Sequence, residues 1–353
     1  MTVRRFLIAF GATVFVGVGS IILINGVVDP WRYFRDSATA TLGSDGRQQN
    51  PGLIRQKSFE VAFIGTSLDQ NMRPDDIERI FGVSSVVLAL SGGTAREQAL
   101  TARLALREKP LRQIFWGLNL SAFCLRSDEI EGGSFPLYLY DDSVTNDLFY
   151  LFNASNTEKS LSDLFSQKGD PDSENWRNLY AWENERTTYG CPDLMEHQMK
   201  KRGLPEPESD LLLAPNEQLT SLSENLFILW QEHPKCTFTA YFPPYSRLYW
   251  GLIRDRQPHR FKAFQRIREE ILTKALTFSN VRLFDFVDMD GAGDLANYKD
   301  LTHFHPRMNL QMLEMMGTDA RRVSETSLES RLRVVSQWLD GYVTQAELDG
   351  CGQ

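Results

Sequence analysis

Two things are scarce in this chain of 353 residues: cysteine and basic charge. The four cysteines (Cys124, Cys191, Cys236, Cys351) form no Cys-x-x-Cys pair, which excludes a zinc ribbon and a thioredoxin-type redox motif. Lys and Arg number 38 against 46 Asp and Glu, a net charge of −8, which argues against a dedicated nucleic-acid binder with a phosphate-binding basic face. No internal repeat or low-complexity tract stands out. With 24% charged and 42% hydrophobic residues, the chain is neither largely disordered nor collagen-like. It is long enough to bury a core without disulfide staples, as one large domain or two small ones.

The most informative absence is local. Phe6 to Val28 is a run of 23 residues without a charge. As a helix at ~1.5 Å per residue it reaches about 34 Å, more than a ~30 Å hydrocarbon core. Arg4 and Arg5 precede the run and Asp29 follows it. By the positive-inside rule the N-terminus stays cytoplasmic and the chain from about 30 onward lies on the periplasmic or extracytoplasmic side. No A-x-A-like cleavage site stands near Asn25, so residues 1–29 read as a cytoplasmic tip and an uncleaved single-pass anchor. An outside location permits disulfides. Cys191 and Cys236 are one candidate pair, three full connectivities exist, and free thiols are equally compatible.

Residues 30–57 form a polar linker. Beyond it, short apolar runs alternate with helical patterns. Strands are expected at 61–65, 86–90, 113–117, 236–242 and 281–287, and helices at 74–81, 95–107 and 259–277. Strands apolar on both faces and separated by helices indicate a three-layer α/β sandwich, with a central parallel sheet of about five strands. The α/β domain spans 58–325, an aromatic-rich insertion falls at about 125–215, and 326–353 is a C-terminal helix and tail. Ligands of such sheets bind at the carboxyl ends of the strands.

Those ends carry chemistry. Gly65-Thr66-Ser67 follows the first strand, Ser91-Gly92-Gly93 the second and Gly117-Leu118-Asn119 the third, while Asp300-Leu-Thr-His303 precedes a helix near Pro306. A serine hydroxyl becomes a nucleophile when an imidazole takes its proton and a carboxylate fixes the imidazole's tautomer. Asp300 and His303, three apart, fit one turn. The N–H groups of Ser67 and of the Gly92-Gly93 loop, with the Asn119 amide, supply donors for an oxyanion. Singly, each piece has an ordinary structural explanation: an N-cap, a turn, an Asx turn, an exposed pair. Together, in order, they form a serine acyl-transfer set.

This set resembles the SGNH (GDSL-like) hydrolase superfamily, named for a Ser, a Gly, an Asn and a His in separate sequence blocks. Ser67 matches the nucleophile, Gly92 or Gly93 the block II glycine, Asn119 the block III asparagine, and Asp300 with His303 the Asp-x-x-His. Residues of roughly 60–320 are covered, with the insertion outside the common core. Thr66 stands where many members have Asp, and Leu120 likewise. With the N-terminal anchor, this is similar to the membrane-anchored, outward-facing branch that includes alginate O-acetylation and teichoic acid D-alanylation proteins. The resemblance implies a flavodoxin-like fold, no cofactor and no metal. It implies a serine esterase or O-acyltransferase acting through acyl-Ser67 on acyl, chiefly acetyl, esters of an envelope or secreted polysaccharide. The partners would be an acylated glycan or acyl donor and a polytopic membrane acyltransferase. The alternative is a non-catalytic assembly or binding component of a polysaccharide acylation or export complex.

Three further residues are candidate substrate contacts. His305 competes with His303 as the base or sits on the rim, and Tyr245 and Arg247 follow the fourth strand at the mouth of the site. Trp176, Tyr180 and Trp182 form either a lid that stacks on sugar rings or the insertion's own core. His197, His233 and His259 belong to no motif. The acidic run at 285–294 lacks the Gly and Glu positions of a calcium-binding loop. From Asp29 onward 36 basic residues face 46 acidic ones, a charge of −10, which favours a neutral glycan over an anionic polymer unless a local basic rim such as Arg247 intervenes.

Overall fold

Short apolar runs can hide both faces only inside a covered sheet. In the computed structural model, which describes residues 2–130, 135–165, 176–194 and 214–351, helices α1 (Val3–Val28) and α2 (Gly46–Gln56) precede strand β1 (Val61–Ile64). There follow α3 (Pro74–Phe81), β2 (Ser85–Val87), α4 (Ala95–Glu108) and β3 (Gln113–Gly117). Next are α5 (Leu148–Leu151), α6 (Ala154–Phe165), α7 (Pro215–Leu222) and β4 (Thr237–Phe242). The chain ends with α8 (Arg247–Arg256), α9 (Pro258–Ala275), β5 (Val281–Asp285), α10 (Pro306–Gly317), α11 (Glu325–Asp340) and α12 (Thr344–Cys351).

The five strands make one all-parallel sheet in the order β2-β1-β3-β4-β5, flanked by helices, as the apolar runs imply. The order reverses at β1 and β3, where open α/β sheets leave a crevice. α3 has the expected bounds. Pro74 starts it, Asp75 and Asp76 face its N-terminal dipole, and Gly82 ends it at φ 67. β2 is shorter than expected, yet Leu88 N–H and Leu90 N–H still reach the Phe63 and Gly65 carbonyls at 2.8 and 2.9 Å. That pairing carries the chain on to Gly92 beside the end of β1.

Two compact units emerge. One comprises Met1–Ser58 with Ser134–Leu179, the other Phe59–Gly133 with Tyr180–Gln353. In the first, α1 is a helix long and apolar enough to cross a membrane. It stops at Asp29, whose φ of 54 and N–H bond to Asn25 O close the last turn. The segment expected as a linker (30–57) holds α2, capped by the Asp45 carboxylate on Arg47 N–H and buried from Gln49 to Ile54. The expected insertion (125–215) is divided between the units. Its residues 131–134, 166–175 and 195–213, and with them His197, lie outside the described residues. So does the end of the tail, 352–353.

The second unit holds the sheet. The C-terminal segment expected as a helix and tail holds α11 followed by α12, and Cys351 of α12 is joined to Cys191 with their Cα atoms 5.0 Å apart. The candidate pair Cys191–Cys236 is therefore corrected: Cys236 enters β4 as a buried free thiol. Burial pushes it up to about 12.

Candidate functional site

The chain leaves β1 through Gly65 and Thr66 and turns sharply at Ser67–Asp69. Asp69 makes the turn. Its N–H donates to Thr66 O at 3.0 Å and its carboxylate accepts Thr66 N–H at 2.9 Å. A Cβ on Gly65 or on Gly117 of β3 would overlap the Asp69 carboxyl, so both glycines are required where it passes. From β4 the Tyr241 hydroxyl donates to the other carboxyl oxygen. Burial raises the Asp69 carboxyl to about 6 against the hydrogen bonds from Tyr241 and Thr66. Nothing in the sequence patterns singles out this residue; the glycine that ends β1, read with the glycine that ends β3, is the signal that could have found it.

Folding thus raises Asp69 from ~3.9 by about two units, and native protein binds the extra proton between those values. Its contribution to stability is full below about pH 4 and is lost as pH rises through about 6. Asp69→Asn should remove that loss. The variant's unfolding free energy from urea melts, compared with wild type from pH 4 to 7, should gain ground as pH rises, by up to about 3 kcal/mol.

Asp300 and His303 occupy a turn that leads to α10. Asp300 Oδ1 accepts the N–H groups of Thr302 and His303 at 2.9 and 2.8 Å, which explains the three-residue spacing. Its Oδ2 lies 2.6 Å from His303 Nδ1. Burial would raise the Asp300 carboxyl, but the hydrogen bond and charge of His303, with the two backbone N–H groups, outweigh it and hold it at about 2. A charged Asp300 can only accept, so Nδ1 carries the ring hydrogen and Nε2 is left as acceptor. Ser67 Oγ sits 2.7 Å from that Nε2. The structure therefore brings Ser67, His303 and Asp300 into one hydrogen-bonded line.

The donors around this line differ in part from expectation. Among the described residues, Ser67 N–H and Gly92 N–H bond no acceptor, and Gly92 has a φ of 63. Gly93 is corrected: its N–H closes a turn onto Leu90 O at 2.9 Å and is not a free donor. Asn119 Oδ1 accepts Ser121 N–H, Ser121 Oγ–H and the Tyr245 hydroxyl at 3.1, 2.6 and 2.8 Å. Those three bonds fix the amide plane, and Nδ2 meets no acceptor among the described residues.

Compared with protein-family models and with curated proteins, the chain matches none. The residues themselves therefore carry the reading of the site.

Of the three expected substrate contacts, Tyr245 and Arg247 do other work, while His305 lines a cleft. Tyr245 is buried and orients Asn119 through its hydroxyl. The Arg247 guanidinium bonds Trp338 O and lies 4.9 and 5.0 Å from the Trp338 and Tyr342 rings, held by the C-terminal helices. His305 is the N-cap of α10: its Nδ1 accepts Arg307 N–H at 3.1 Å and its ring packs 4.6 Å from Tyr189. It borders a cleft of about 230 Å³ with Asn71, Glu183 and Asn309, and burial lowers its pKa.

Trp182 belongs to the site rather than to a core of the insertion. Its indole N–H donates to Ser67 O at 2.9 Å, and its ring meets His303 edge-on at 5.5 Å. Asn71 Oδ1 pins the strap by accepting the backbone N–H groups of Trp182 and Glu183 at 3.1 and 3.3 Å. Lys299 Nζ lies 4.7 Å over the indole ring.

Proposed function

We propose that this chain is a membrane-anchored serine esterase or O-acyltransferase of SGNH type. Its substrate would be acyl esters, acetyl being the simplest, of an envelope or secreted polysaccharide. The observation that carries the reading is the line Ser67 Oγ–His303 Nε2 (2.7 Å) and His303 Nδ1–Asp300 Oδ2 (2.6 Å) at the strand ends. Ser67 Oγ attacks the acyl carbonyl and passes its proton to His303, while charged Asp300 stabilises the imidazolium. Ser67 N–H, Gly92 N–H and Asn119 Nδ2 are the donors for the oxyanion. Collapse returns the proton to the departing alcohol and leaves acyl-Ser67. Water or a sugar hydroxyl then gives its proton to His303 and takes the acyl group, and Ser67 regains its proton.

Arg4 and Arg5 at the start of α1 support placing the rest of the chain on the outward side. The excess of acid after Asp29 favours a neutral glycan, and Arg247, held by the C-terminal helices, does not offset it.

The test is mass spectrometry of the full-length protein after incubation with an aryl acetate and with an acetylated oligosaccharide. An acyl adduct on Ser67, discharged faster when glycan is added, is expected for the transferase. No adduct on Ser67 and no labelling of it by a fluorophosphonate would sink the proposal. Asn119→Ala should lower kcat about 10²–10³-fold, the cost of one oxyanion donor, while Ser67 remains open to the fluorophosphonate. Steady-state kinetics on the aryl acetate measures it.

A further inference from the structure

Helix α6 buries polar side chains and exposes apolar ones, although Ser155, Glu158 and Ser162 are exposed too. Asn156, Ser160 and Asp163 are its buried positions, while Leu161, Leu164 and Phe165 are exposed, Phe165 at 83%. Even its lysine turns inward, with Lys159 Nζ 2.9 Å from Thr41 O and 3.0 Å from Asp163. α5 beside it exposes Leu148 and Phe149, and Phe152 follows exposed while Tyr150 is buried. In water the apolar face of a surface helix turns to the core. Among the described residues, ten of the exposed large apolar side chains lie on α1, nine elsewhere in its unit and four in the unit that holds the sheet.

What covers this surface follows from its fixed register on α1. Asn25 Nδ2 donates to Leu151 O and Thr157 Oγ1, both at 2.9 Å, and Ser160 Oγ–H donates to Asn25 Oδ1 at 2.9 Å. One turn on, the Tyr150 hydroxyl donates to the Asp29 carboxylate at 2.7 Å. Counted from Phe6, Asn25 is the twentieth residue of the charge-free run. Twenty residues rise about 30 Å, the thickness of a hydrocarbon core. α5 and α6 are thus bonded to α1 at the level where a spanning helix would leave the hydrocarbon, and both expose apolar side chains there.

We propose that α5 and α6 form a lipid-facing shelf around the end of α1. Leu148, Phe149, Phe152, Leu161, Leu164 and Phe165 would sit in the headgroup and upper acyl region, about 5–10 Å deep as interfacial helices do. The proposal rests on α1 spanning the membrane. The shelf would hold its unit at a set depth, beyond what a lone anchor supplies.

The experiment uses full-length protein in phosphatidylcholine nanodiscs, with an environment-sensitive fluorophore on Phe149→Cys, Phe165→Cys, Val14→Cys and Ser44→Cys. The native thiols are buried or in a disulfide, so each variant offers one accessible thiol. Leu148→Cys and Leu164→Cys replace any phenylalanine variant that does not fold. Labels at 149 and 165 should shift to the blue and lose most of their emission to lipids carrying a nitroxide high on the acyl chain. The label at 14 should be quenched by a nitroxide near the chain end, and that at 44 by aqueous iodide. Quenching at 14 with iodide-accessible labels at 149 and 165 overturns the shelf and leaves the span standing. Blue-shifted labels at 149 and 165 that no lipid nitroxide quenches also overturn it, in favour of a protein partner or a second copy. A label at 14 that lipid does not quench overturns the span itself, and the shelf with it.

Discussion

On the proposed acyl-transfer function, Ser67→Ala is expected to abolish ester turnover, by about 10⁶-fold in kcat, because the proposed nucleophile, its base and the base's orienting carboxylate would act as one unit. His303→Ala should lose about as much, and the Ser67→Ala/His303→Ala double variant no more than either, since the second loss removes nothing that still works. Asp300→Asn should cost about 10⁴-fold. An amide NH₂ facing Nδ1 favours the tautomer that places the ring hydrogen on Nε2, where Ser67 needs an acceptor. Ser67 and His303 are both half-buried, so their alanine variants should fold, and circular dichroism and thermal midpoint should match wild type. Hydrolysis of an aryl acetate at the wild-type rate by Ser67→Ala would refute the assignment of the nucleophile.

Asp285→Ala is expected to give the largest loss of stability, about 3–5 kcal/mol. At the end of β5 Asp285 is fully buried and pairs with Arg268, itself 2% exposed. Arg331 spans Asp285 at 3.3 Å and Asp288 at 2.5 Å, and Arg321 joins Asp288 at 2.6 Å. Removing the carboxylate leaves the Arg268 guanidinium charged and uncompensated beneath the sheet. Asp285→Leu with Arg268→Met removes both charges and should stand within about 1–2 kcal/mol of wild type, or above it. Urea midpoints of the single and double variants measure the coupling. Additive losses would show that the pair carries no mutual compensation.

What could be read from the sequence was local. A strand buried on both faces needs an apolar run, and a helix beginning at Pro74 and ending at Gly82 needs residues within one turn of each end, so the strands and α3 were visible. The Asp300–His303 spacing was visible for the same reason, since one turn contains its whole geometry. Even α1 announced itself through 23 adjacent positions.

Tertiary structure decided whatever joins distant positions. Cys191 meets Cys351 across 160 residues, and no spacing rule chooses that partner over Cys236. Asp69 owes its slot to Gly117 and Tyr241 on two other strands, and Trp182 reaches Ser67 from 115 positions away. Arg247 and Tyr245 looked like rim residues because they follow β4. Packing gave the first to the C-terminal helices and the second to Asn119. The supposed linker and the part of the insertion up to Leu179 became one unit with α1, where Asn25 and Asp29 find their hydrogen-bond partners. The physical reason is the same throughout. Backbone preference and burial pattern are properties of neighbours along the chain, and local sequence states them. The partner that satisfies a buried amide, carboxylate or thiol is whichever group the packed chain brings within about 3 Å, and only the folded molecule determines that.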